Sequence, residues 1–107
     1  MDFIKIKPLS VNKCWQGKRF KTNDYKAYEQ ELLYRLKKVK IPKGKKSLII
    51  RVGFSSPLSD LDNVAKPFID ILQKKYGFDD KEIYYLEILK DDVKKGEEYI
   101  GFEINPY

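Results

Sequence analysis

The chain has 107 residues, of which 42% are hydrophobic and 36% charged. That is enough apolar material for one modest core and argues against disorder. There is no histidine and only one cysteine, Cys14. This excludes a Ser-His-Asp triad, a Cys-His pair, an imidazole metal ligand and a disulfide framework, and it leaves carboxylates, lysine, tyrosine or an oxygen-held metal for any chemistry.

Lysine plus arginine outnumber aspartate plus glutamate by 22 to 16, a net charge of +6. Such a balance suits a polyanion such as nucleic acid, and it also serves plain solubility. No apolar run approaches a membrane span, and Met1–Lys7 does not read as a signal peptide. The expectation is a cytoplasmic protein of one domain, residues 1–107.

Asp2–Lys7 alternates Phe3, Lys5 and Lys7 against Ile4 and Ile6, the pattern of a strand with one buried face. Pro8 ends it. Leu9–Phe20 has neither period and reads as a basic loop with Asn12, Lys13, Trp15, Lys18 and Arg19, followed closely by Lys21. Cations interleaved with an aromatic ring can hold a nucleic-acid backbone, so these polar residues are candidate DNA contacts. Trp15 itself reads better as a lid on the core.

Thr22–Asn23–Asp24 signals a helix start. Tyr25, Tyr28, Leu32, Leu36 and Val39 then recur at helical spacing and predict a helix from Asp24 to Val39. Ile41–Lys46 is a turn. The lysines from Lys37 to Lys46 read as an exposed basic helix end that could touch DNA. Ser47–Phe54 is apolar enough for a central strand. A second helix follows to about Lys75, with Gly77 as its left-handed cap. Glu82–Lys90 and Glu98–Ile104 are strands, expected to pair as a hairpin, with Ile100, Phe102 and Ile104 inward. The order β-α-β-α-β-β predicts an α/β (α+β) domain, a mixed sheet with helices packed against it.

The chemistry concentrates in Ser59–Asp70, S-D-L-D-N-V-A-K-P-F-I-D. On a helical wheel Leu61, Val64, Ala65, Phe68, Ile69, Ile71 and Leu72 share one arc. Asp62, Asn63, Lys66 and Asp70 share the opposite one. A capped helix with a surface ion-pair ladder would contain the same residues. Two features favour a site. Asp60 and Asp62 are two like charges that repel unless a cation lies between them. Asp79 and Asp80 add a second acidic pair in the loop beyond the helix. If the strands flanking the helix pair in one sheet, an acid of that loop can approach Asp60 and Asp62. Carboxylates without histidine suit Mg²⁺, with Mn²⁺ as a possible substitute, and Lys66 could contact a scissile phosphate. Pro67 is tolerable if the helix starts at Asp62 or Asn63; otherwise it should kink the helix.

These residues resemble the RusA family of Holliday-junction resolvases. The matching segments are D-L-D-N-V-A-K-P-F-I-D (60–70) and F-D-D-K-E-I (78–83), with P-L-S-V-N-K (8–13) a looser match. The resemblance covers most of the chain. It implies a Mg²⁺-dependent endodeoxyribonuclease that works as a homodimer, nicks four-way DNA junctions symmetrically in recombination and repair, and is often prophage-encoded. It implies Asp60, Asp62 and Asp80 as metal-holding catalytic acids and Lys66 as the essential lysine, with Asn63, Asp70 and Asp79 in support. The resemblance selects Asp80 over Asp79, a choice that the residues alone leave open. The alternatives are a DNA-binding or regulatory module without catalysis on the same scaffold, and a nuclease for other branched DNA.

Overall fold

In the computed structural model, residues 1–17 and 20–107 are described. Lys18 and Arg19, two of the candidate DNA contacts, lie outside the described residues.

Strand β1 (Asp2–Lys5) is followed by a single 3₁₀ turn (Val11–Lys13) and a small ribbon, β2 (Trp15–Gln16) with β3 (Phe20–Lys21). The predicted basic loop is thus partly ordered by local pairing. Trp15 packs edge-on against Tyr25 at 5.7 Å yet remains 41% exposed, so it covers the core only in part.

Helix α1 spans Asn23–Arg35, with the Thr22 hydroxyl accepting the Tyr25 backbone N–H. Tyr25, Tyr28 and Leu32 form its buried stripe. It stops short of the predicted Val39, where Leu36 turns to an extended backbone and donors from the next helix serve carbonyls at and just beyond its end. Lys75 donates to the Leu33 carbonyl at 2.9 Å and the Tyr76 hydroxyl to the Lys37 carbonyl at 2.5 Å. Side-chain donors have replaced the N–H groups that a further turn would supply.

Strand β4 (Lys46–Phe54) buries Leu48, Ile50, Val52 and Phe54 on one face. Helix α2 (Leu61–Tyr76) buries Val64, Ala65, Pro67, Phe68, Ile71 and Leu72, of which Val64, Phe68, Ile71 and Leu72 join the same core. It runs unbroken through Pro67 and ends at Gly77, whose φ of 73° is the left-handed cap expected from the sequence.

Strands β5 (Ile83–Asp92) and β6 (Tyr99–Pro106) complete a four-stranded sheet ordered β1-β6-β4-β5. The predicted hairpin of the last two strands does not form. β5 lies parallel to β4, and β6 lies antiparallel to β4 on its other side, between β4 and β1. The physical reason is the helical connection. A strand returning through α2 docks beside β4, which leaves the opposite edge of β4 for β6. The connection between β5 and β6 passes the end of β4, where the Val93 N–H donates to the Phe54 carbonyl at 2.9 Å. The result is a mixed sheet with both helices contributing to one core, in the fold class expected from the sequence.

Away from that core, aromatic rings lie over glycines on the other sheet face. A Cβ on Gly53 would meet the Tyr99 ring at 2.5 Å. Gly53→Ala should therefore cost about 1–3 kcal/mol through forced repacking, read as a lower urea midpoint with unchanged slope. Beside it, Asp91 takes two hydrogen bonds from Arg51, at 2.7 and 2.9 Å, and one from the Tyr99 hydroxyl. The Arg51 bonds, then the Tyr99 bond, hold the Asp91 carboxyl down at about 2, from an ordinary 3.8. A depressed folded value means stability present above pH ~4 and lost as pH falls toward 2. Arg51→Gln should flatten that limb of an acid titration followed by circular dichroism; an unchanged limb would refute the linkage.

Candidate active site

The β4–α2–β5 crossover builds a cleft of about 250 Å³ lined by Asp62, Lys66, Asp70 and Asp80, over a floor of Ala65, Ile69, Leu86 and Ile88. The polar face of α2 supplies the first three at i, i+4 spacing, as the wheel predicts. Asp80 reaches them because the chain turns back along α2. Its backbone N–H donates to Gln73 Oε1 at 2.8 Å, and Gln73 Nε2 donates to Asp70 Oδ1 at 3.4 Å. Below it, Glu82 pairs at 3.0 Å with Lys46, a lysine only 2% exposed, which fixes the Asp80–Glu82 turn to the start of β4.

The two neighbouring acids separate cleanly. Asp79 caps the turn, its Oδ1 accepting the Lys81 N–H at 3.0 Å, and that bond holds its carboxyl below the usual range. Asp80 lines the cleft. Burial raises the Asp70 carboxyl, Lys66 opposes the rise, and the charge of Asp80 adds to it. Lys66 makes no salt bridge among the described residues and is exposed. It is therefore available to an anion.

Asp60 is not in this cleft. It is the N-cap of α2, without a side-chain capping bond, and its carboxylate accepts from Asn63 Nδ2 at 3.3 Å. Both residues line a larger groove on the other side, about 670 Å³, shared with Ser10, Asn12, Lys13 and Asp24. About 20 Å of helix rise separates Asp60 from Gln73, where the Asp80 backbone is tied. Asp60 and Asp80 line different pockets, whereas Asp62 and Asp80 line the same cleft.

Of the remaining DNA-contact candidates, Lys21 is committed to Glu29 at 3.0 Å. Asn12 and Lys13 face the Asp60 groove. Sequence reasoning missed Gln73 and Lys90. Gln73 was legible, since it continues the Asp62–Lys66–Asp70 face by three residues. Lys90 donates to the Pro57 and Ser59 carbonyls, both at 2.9 Å, and pins the loop that carries Asp60 to the end of β5; its sequence signal is a cation on the core-facing parity of a strand.

The donor set fits a hard divalent cation in kind, being carboxylate oxygen. Among the described residues no three acidic or cysteine side chains stand close enough to hold a metal ion. No described helix is long and apolar enough to cross a membrane. No family model matches the chain, and no curated protein matches it.

Proposed function

We propose that this chain is a Mg²⁺-dependent, structure-selective endodeoxyribonuclease that resolves four-way DNA junctions by paired nicks, acting as a homodimer. The observation that carries the proposal is the convergence of Asp62, Lys66, Asp70 and Asp80 on one open cleft. Carboxylates drawn from Asp62, Asp70 and Asp80 would hold the ion, with water and phosphate oxygens completing its shell. Bound Mg²⁺, or Mn²⁺ in its place, supplies an activated water and offsets charge on the phosphoryl oxygens. Lys66 binds the phosphate at the cleft mouth. Gln73 keeps Asp80 against the helix. Asp60 and Asn63, with Asn12 and Lys13 across the neighbouring groove, hold the DNA that flanks the cut. The resemblance to the resolvases goes further and makes Asp60 a ligand, which requires the top of α2 to shift when DNA binds.

The test is incubation of a synthetic mobile four-way junction with and without Mg²⁺, with nicks mapped on both strands. Symmetric Mg²⁺-dependent nicks are expected. Cleavage of flaps in preference to junctions would move the substrate to other branched DNA. A second reading, a DNA-binding module without catalysis, is favoured by the separation of Asp60 from Asp80; junction binding with no cleavage in either metal would establish it.

A further inference from the structure

The lysine-rich turn between α1 and β4 has no part in the proposed chemistry. In the fold it meets the start of β5. Lys45 Nζ stands 4.8 Å from the centroid of the Tyr84 ring. The Tyr84 and Tyr107 rings lie 5.8 Å apart at a 34° tilt, and the Tyr107 N–H donates to the Lys45 carbonyl at 3.0 Å. Neither ring is part of the buried core: Tyr84 is 57% and Tyr107 67% exposed. Tyr84 is also the extra residue of a bulge, because Lys46 pairs with Ile83 while Ser47 pairs with Tyr85. A bulge re-aims a side chain out of the regular ladder.

Lysines flank the rings. Lys46 and Glu82 neutralise each other. Lys43 and Lys45 have no carboxylate within ion-pair distance among the described residues. Leu86, in the floor of the acidic cleft, follows Tyr84 by two residues, about 7 Å of strand.

We propose that Tyr84, Tyr107 and Lys45 form a stacking platform for an unpaired DNA nucleotide beside the acidic cleft, a role that rests on the nuclease reading. A base exposed at a branch point offers a π-face to the tyrosines, and its phosphates meet Lys43 and Lys45. Because every base has such a face, the platform selects for an unpaired base and not for its identity. It would thus favour branched over continuous duplex DNA.

The experiment uses the full chain and three probes: a four-way junction with 2-aminopurine at the crossover, oligothymidylate and oligouridylate. With wild type, 2-aminopurine fluorescence should be quenched. Tyr84→Ala should lose the quench and bind oligothymidylate about ten-fold or more weakly, the scale of one lost base–aromatic stack. Tyr84→Phe, which keeps the ring, should retain both. Tyr34→Ala, at a tyrosine 89% exposed on α1, should change neither. Tyr84→Ala that melts, quenches and binds like wild type overturns the platform, and junction cleavage by wild type then leaves the nuclease reading intact. Quenching without any cleavage by wild type supports the platform and overturns the nuclease reading. Tighter binding of oligouridylate than of oligothymidylate overturns the assignment to DNA.

Discussion

Asp62→Asn should slow Mg²⁺-dependent junction cleavage by at least about 10²-fold, the scale on which removing one well-placed electrostatic stabiliser acts, while junction binding persists or tightens. The residue stands on the exposed face of α2 in the cleft with Asp80. Asparagine keeps its shape and one oxygen but removes the charge that a hard cation requires. The same change reduces repulsion of phosphate, which is why binding should not fall. The fold should be indifferent to it, because among the described residues Asp62 accepts a hydrogen bond only from the adjacent Asn63 N–H, at 3.1 Å. Cleavage rates and junction gel shifts at equal protein concentration read the two effects separately. Loss of binding with retained cutting would refute the assignment. A thermal scan adds a readout apart from activity: Mg²⁺ should raise the melting temperature of wild type and raise it less in the variant, since a ligand that binds only the folded state stabilises it.

Phe68→Ala is the larger structural effect. Phe68 has no exposure, and its ring meets Phe102 edge-on at 6.1 Å, joining α2 to β6. Truncating a buried phenylalanine costs about 3–5 kcal/mol. A domain of this size has a total stability of roughly 5–15 kcal/mol, so the variant should melt some 15–30 °C lower or fail to fold at growth temperature. Phe68→Leu, which retains most of the apolar volume, should recover the greater part of the loss. Equal stability of the alanine variant and wild type would mean that α2 does not pack as described. Since the other face of the same helix carries Asp62, Lys66 and Asp70, the leucine variant should also recover cleavage in proportion to the folded fraction.

Much of this helix is legible in the sequence. Period 3.6 sorted its residues onto two faces, and Gly77 marked its end, because both signals are local. The placement of Asp80 beside the polar face of α2 was also within reach, since a strand–helix–strand unit tends to pair its own strands. The position of Asp60 was not. Two residues apart in sequence implies proximity, but Asp60 has an extended backbone, with φ −95° and ψ 129°, and opens to the opposite side of the helix start. The partner of β6 was equally hidden. Alternation of Ile100, Phe102 and Ile104 states that the segment is a strand with one buried face; it contains no information on which strand lies next to it. The end of α1 depended on Lys75 and Tyr76, some forty residues away, and no local propensity encodes that.

The insertion of β6 between β1 and β4 has a consequence for how the chain acquires its structure. Asp2 faces Phe102 and Lys5 faces Tyr99. Joining those strands closes a loop of nearly the entire chain, and such non-local pairings slow folding. The β4–α2–β5 unit, by contrast, is one continuous stretch from Lys46 to Asp92 that contains all eight residues lining the acidic cleft. Nucleation is therefore expected in that stretch, with the β1–β6 pairing closing late. Leu48→Ala should then slow refolding, whereas Ile4→Val should mainly quicken unfolding.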